Sequence, residues 1–168
     1  MAAVIAETVR LVIRRLTEND VEAVATMWCD PRVTRFMGGP RVFAEVCRSL
    51  RAGLSAEPQR FDLWPVLERS GGAVIGHCGL LDKEIDGRVE IEINYVIAPR
   101  VWRQGYATEA ALAIRAHAEH AFGCRRLIAL IHPENRPSFR VAEKIGFGYE
   151  RDVARPKGTM RLYGWPGS

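Results

Sequence analysis

The chain contains no C-x-x-C pair. Its four cysteines, Cys29, Cys47, Cys78 and Cys124, are scattered, which excludes a zinc ribbon or thioredoxin-like motif and points to reduced, partly buried thiols. The dinucleotide fingerprint G-x-G-x-x-G is absent, and so is the phosphate loop that ends in Lys-Ser or Lys-Thr. No apolar run approaches the ~20 residues that span a bilayer, so no membrane partner is expected. Met1 to Ala6 is short and apolar but runs into Glu7 and an alternating segment, which is not a signal-peptide layout; a cytoplasmic location is expected. There is no internal repeat and no low-complexity linker. A large excess of one charge is also lacking. The net charge of +4 favours anionic partners such as phosphates, and without a known motif it does not support direct nucleic-acid binding. What is present is a chain of 168 residues, 48% of them apolar, enough for one domain over residues 1–168 with a sizeable core.

Alternation and turn residues give the elements. Thr8 to Arg14 alternates as a strand with Val9, Leu11 and Ile13 on one face. Thr17 before Glu18-Asn19-Asp20 signals a helix start, and Val21 to Trp28 follows. Arg32 to Pro40 reads as a loop or short turn, and Phe43 to Leu54 as a helix with a single apolar stripe. Strands follow at Phe61 to Arg69 (where Pro65 predicts an edge or bulge), Ala73 to Leu81 and Arg88 to Ile97. Gly105 to Phe122 is an alanine-rich helix closed by Gly123, then Arg126 to Ile131 a buried strand and Pro137 to Ile145 a helix. Gly148 to Ala154 and Thr159 to Trp165 end the chain as strands. This order predicts a mixed α/β sheet covered by helices.

Three constellations carry chemistry. After the third central strand comes Trp102-Arg103-Gln104-Gly105-Tyr106-Ala107-Thr108-Glu109-Ala110. A helix that opens at a glycine turn presents unpaired N–H groups from Arg103 to Thr108 to an anion, with Arg100 and Arg103 adding charge. On the preceding strand Glu90, Glu92 and Asn94 share one face, and Ile91, Ile93 and Tyr95 the other, so Glu92 is a candidate general base. After the next strand, Asn135-Arg136-Pro137-Ser138 places an amide and a hydroxyl at a helix start. His117 and His120 lie three apart on the long helix without a third ligand, so no metal is expected. His77 and Cys78 are strand neighbours on opposite faces and cannot form a nucleophile–base pair. Arg125-Arg126 is a short basic pair facing solvent or a phosphate.

These residues resemble the GNAT superfamily of acetyl-CoA-dependent N-acetyltransferases, in particular the RimJ/RimL type that acetylates ribosomal-protein N-termini. The resemblance runs through Thr8 to Arg14, Asp30-Pro31-Arg32-Val33-Thr34-Arg35-Phe36, Glu92 to Ile97 with the glycine turn, and Asn135 to Ser138 with Glu143-Lys144-Ile145-Gly146-Phe147. It implies a central, mostly antiparallel seven-stranded sheet flanked by about four helices. It further implies that Val96 and Ile97 lend backbone groups to the pantetheine, with the Val96 N–H as oxyanion donor. Arg103, Gln104, Gly105, Tyr106, Ala107 and Thr108 bind the pyrophosphate, Asn135 binds the pantetheine, and Ser138 lies near the thioester sulfur. Glu92 and Ser138 are the catalytic pair it implies. Trp28, Arg35, Phe36, Glu92 and Asn94 line the acceptor site, for a protein N-terminal α-amine or a small-molecule amine. Arg103 replaces a common glycine, and the tyrosine acid of many relatives is Ala142 here. The implied partners are acetyl-CoA and an amine acceptor, the implied state a monomer or homodimer. An inactive acyl-CoA-binding sensor or scaffold is the competing reading.

Overall fold

The computed structural model describes residues 2–167. Strands β1 (Val4–Glu7), β2 (Leu11–Arg14), β3 (Leu63–Glu68), β4 (Val74–Ile85), β5 (Arg88–Ile97), β6 (Leu127–Ile131), β7 (Gly148–Arg155) and β8 (Gly158–Trp165) form one eight-stranded sheet in the order β1-β2-β3-β4-β5-β6-β8-β7. Every neighbouring pair is antiparallel except β5 with β6. The helices are α1 (Val21–Cys29), α2 (Pro31–Thr34), α3 (Phe43–Leu54), α4 (Tyr106–Phe122) and α5 (Arg136–Lys144).

The seven-strand expectation becomes eight because Thr8 to Arg14 is not a single strand. The Thr8 hydroxyl accepts the Leu11 N–H at 2.9 Å, and the Thr8 N–H donates to the Leu11 carbonyl at 3.0 Å. This side-chain turn reverses the chain, so Val4–Glu7 pairs back on β2. Val9, expected inside, is 91% exposed at the turn. Among the described residues the α-helices number five because the loop or short turn expected after α1 opens as the four-residue α2: Asp30 accepts the Arg32 N–H at 2.8 Å and Pro31 occupies the first turn, a favourable start. Pro65 lies in an interior strand rather than at an edge. Pairing of β3 with β2 stops at Val66, one residue short of Pro65, so that side asks no N–H of it. A bulge follows at Val66/Leu67.

α4 and α5 cover one sheet face. The small stripe Ala110, Ala111 and Ala118 with Ile114 lies fully buried in a core shared with Ile93, Leu127, Ala129 and Ala142. α1 and α3 lie on the opposite face, joined through Val21, Ala25 and Cys47. Farther along that face, Ile85, Ile128, Val153 and Leu162 form a second cluster. There the β7–β8 hairpin meets the β4–β5 hairpin through Arg155 Nη1 to the Glu84 carbonyl (2.8 Å) and Arg151 to Asp86 (2.8 Å).

The start of α1 is fixed by Asp20, 3% exposed. It accepts from Thr17 N (2.8 Å), Thr17 Oγ1 (2.7 Å) and both terminal nitrogens of Arg14 (2.7 and 2.9 Å). Burial pushes its carboxyl up, but the bonds from Arg14 and Thr17 outweigh this and hold it below the ordinary value of 3.8. A depressed folded pKa gives stability that is present above the unfolded value and lost as pH falls through the folded one. Asp20→Asn is expected to cost roughly 1–2 kcal/mol near neutral pH. In denaturant titrations the gap between wild type and variant should close below about pH 4; a gap unchanged into acid would contradict this role.

Candidate active site

β5 runs between β4 and β6, and its two edges differ. β4 pairs with it along its whole length, from Gly76–Ile97 to Ile85–Arg88, whereas pairing with β6 is recorded at Glu92–Ile128. Beyond that point, among the described residues, no ladder pairing joins the two parallel strands towards their carboxyl ends, which leaves a gap in the sheet. Ala98 N–H donates to the Ile75 carbonyl. Antiparallel ladders alternate, so the backbone groups of Val96 point to His77 on β4, and those of Tyr95 and Ile97 point into the gap. The Ile97 N–H, rather than the Val96 N–H that the resemblance singles out, is the one directed to the gap. The Ile97 carbonyl accepts the indole N–H of Trp102 at 2.7 Å.

At the open end of the gap the chain passes through a short 3-10 turn, Pro99–Val101, into α4. Arg103 has φ +62° and Gly105 φ +82°. The left-handed conformation at Arg103 is what makes glycine the easier residue there. Gly105 provides no side-chain cap. Among the described residues no acceptor is recorded for the N–H groups from Arg103 through Thr108. These donors at the positive end of a 17-residue helix are suited to a diphosphate. The Arg103 side chain has no ion pair or hydrogen bond among the described residues. Arg100 is directed to the Val74 carbonyl (3.0 Å) and lies 4.0 Å from Glu68.

Residues distant in sequence pin this loop. Arg10, in the β1–β2 turn, donates to the Gln104 carbonyl (3.0 Å) and to Glu109 (2.7 Å), and stacks 4.2 Å from the Tyr106 ring centre. Thr8 donates to the same Glu109 carboxylate. Burial pushes the Glu109 carboxyl up, but these bonds outweigh it and keep it below the usual range. Tyr106 donates to Glu68 at 3.0 Å. Glu109 lies within the quoted motif, yet nothing local in the sequence points to Arg10.

Glu92 is 7% exposed and Lys83 lies 3.6 Å from its carboxylate. Burial raises its pKa above the ordinary 4.5, partly offset by Lys83, Asn94 and the Leu130 N–H. A Leu130 N–H that reaches a side chain is what diverging strands leave available. Cross-strand pairing puts Glu92, Asn94, Val96 and His77 on the α1 face. Trp28, at the end of α1, donates its indole N–H to His77 Nδ1 at 3.1 Å, while His77 Nε2 lies 2.9 Å from the Leu63 carbonyl. Burial lowers the His77 pKa to about 4, so a neutral imidazole supports Trp28. The segment after α2 crosses to the far strands. Phe36 stacks on His132 at 4.9 Å, Arg35 lies 5.0 Å from the Phe36 ring centre, and a Cβ on Gly38 would sit 2.5 Å from Lys157 Nζ.

Ser138 is on the other face. Asn135 caps α5 by accepting the Ser138 N–H at 3.4 Å, and the Ser138 hydroxyl lies 3.2 Å from the hydroxyl of Tyr95. Glu92 and Ser138 are therefore not in contact; they flank the gap from opposite sides. Arg126 is taken up by Glu90 and Glu150 (2.7–3.2 Å), which removes it as a phosphate ligand. His117 packs edge-on against Trp64 and Phe122. No metal-binding group of His, Cys, Asp or Glu occurs among the described residues, and no helix among them is long and apolar enough to cross a membrane.

Residues 10–148 match the acetyltransferase (GNAT) domain family. YkkB of Bacillus subtilis strain 168 is 37% identical over 103 residues, and the match covers 60% of this chain but only 59% of YkkB. The uncharacterized N-acetyltransferase YnaD of the same strain is 33% identical over 155 residues, covering 90% of this chain and 88% of YnaD. A GNAT-family acetyltransferase from Bacillus anthracis superposes with a TM-score of 0.78 at 27% identity, with 95% of each chain covered. RimL, a ribosomal alpha-N-protein acetyltransferase in complex with coenzyme A, gives 0.79 at 16% identity over 96% of each chain, a likeness of fold.

Proposed function

The chain belongs to the GNAT acetyltransferase family, and from that premise we propose that it transfers an acetyl group from acetyl-CoA to a primary amine by direct attack in a ternary complex. The acceptor is a protein N-terminal α-amine, as for the RimJ/RimL type, or a small-molecule amine. The observation that carries this reading is the unpartnered N–H run from Arg103 to Thr108 at the mouth of a gap whose wall holds the buried Glu92. The residues fit the nucleotide-tailed thioester: amides for the diphosphate, the Ile97 N–H and Asn135 along the gap, and the Ser138 hydroxyl on the α5 side.

An amine is mostly protonated at neutral pH. Glu92, its basicity raised by burial, accepts that proton directly or through water. The Ile97 N–H faces the carbonyl oxygen as charge develops there. Ser138 faces the sulfur. Trp28, Phe36, Arg35 and Asn94 shape the approach of the acceptor, and holding both substrates together removes much of the entropic barrier.

The test is an acceptor screen that follows free thiol with acetyl-CoA against N-terminal peptides, polyamines, aminoglycosides and amino acids. Acceptor-dependent thiol release is expected, with Trp28→Ala raising the acceptor KM. Saturable coenzyme A binding without thiol release across the whole panel would instead support an acyl-CoA sensor.

A further inference from the structure

The departing sulfur has no tyrosine to face at Ala142, which is fully buried and carries no hydroxyl. A different phenol is present. Tyr95, from β5, lies with its hydroxyl 3.0 Å from the Ser138 carbonyl and 3.2 Å from Ser138 Oγ. We infer that Tyr95 is a positioning residue that acts through Ser138, so that the sulfur leaves as a thiolate held by two hydroxyls in series. The inference rests on the acyl-transfer reading above and assigns the leaving-group side of that site.

In the unliganded protein the two residues form a closed pair. Tyr95 O–H donates to the Ser138 carbonyl, and Ser138 Oγ–H donates to the Tyr95 oxygen. A serine hydroxyl has one proton and two acceptor sites. If the Ser138 proton turns outward to a sulfur, the Tyr95 proton turns from the carbonyl to Oγ, and neither side chain has to move. Asn135 and Pro137 hold the start of α5 in place for this. The resulting chain, phenol to hydroxyl to sulfur, strengthens each bond through its neighbour.

The chain donates hydrogen bonds and keeps its protons. Burial pushes the Tyr95 hydroxyl well above the ordinary phenol value, more than the bond to Ser138 lowers it. A thiol ionises near ~8.5, so such a phenol does not yield its proton to a thiolate. In the step itself the nitrogen–carbon bond forms as the carbon–sulfur bond breaks. The electron pair of that bond goes to sulfur, Glu92 holds the proton taken from the ammonium group before attack, the second proton that nitrogen sheds as the amide forms passes to water, and both hydroxyl protons stay on oxygen.

The experiment compares coenzyme A with desulfo-coenzyme A, which lacks the sulfur, by calorimetry at about pH 9, where a thiol is largely ionised. Wild type should prefer coenzyme A by about tenfold, the worth of a hydrogen bond to a charged group. Tyr95→Phe keeps the ring in the core, and should cut that preference to a few-fold; Ser138→Ala should abolish it. In turnover, Tyr95→Phe should lower kcat about tenfold with the acetyl-CoA KM unchanged. A preference in Tyr95→Phe equal to wild type, or an equal loss of affinity for both ligands, overturns the inference and leaves the acyl-transfer reading standing. Failure of coenzyme A to bind wild type removes that reading, and this inference with it.

Discussion

Glu92→Gln is expected to lower kcat about 10²-fold while the affinity for acetyl-CoA stays within about twofold, since general-base catalysis typically supplies ~10²–10⁴ and acts on the acceptor amine rather than on the thioester. The amide keeps the shape and the Leu130 and Asn94 contacts but cannot take up a proton. The pH dependence carries the sign. Burial lifts the Glu92 pKa above the ordinary 4.5, with Lys83, Asn94 and the Leu130 N–H pulling the other way. Activity should therefore fall on acidification through a limb above the usual glutamate range, because the protonated carboxyl no longer accepts. The Gln variant should lack that limb. Lys83→Met removes the counter-charge 3.6 Å away and should move the limb to higher pH. A Gln variant that keeps both the wild-type turnover and the limb would assign the base elsewhere.

Arg10→Ala should raise the acetyl-CoA KM about tenfold, and adding Glu109→Gln should recover most of that loss. The Arg10 side chain is 42% exposed, so its direct charge is well screened. Its effect is local: it fixes the Gln104 carbonyl, covers Tyr106 and, above all, neutralises Glu109 beside the first turn of α4. Without it, a carboxylate competes with an incoming diphosphate for the same helix end. The double variant removes that charge and leaves only the looser loop. Measured at low and high salt, the single variant should improve with salt and the double variant should not. If both bind acetyl-CoA equally poorly, Arg10 acts through loop geometry alone.

Strand parity made much of this site readable. That Glu92 and Tyr95 face opposite ways follows from counting along β5, and the glycine turn, the Asn135 cap and the α4 boundaries follow from local rules. What could not be read is what depends on register or on distance along the chain. Whether Val96 or Ile97 turns its N–H to the gap is decided by pairing with β4, which local sequence does not specify. Arg10 and Glu109 are 99 residues apart. The turn at Thr8 was hidden because Val9 continues the alternation that a strand would have. Pro65 foretold the bulge beside it but not an edge, because a rule about edges assumes both ladders extend past the proline, and here one stops before it.

The sheet behaves as an open book. Its spine is the Glu92–Ile128 register, with β1 to β5 as one cover and β6, β8 and β7 as the other. Arg126 with Glu90 and Glu150, Arg151 with Asp86 and Arg155 with Glu84 bind the covers together at one end. At the opposite end the bonds between Tyr95 and Ser138 span them. A long amide-bearing molecule laid between the pages there would supply the rungs that the backbone omits, so the grip on the ligand and the stiffness of the protein would be a single property.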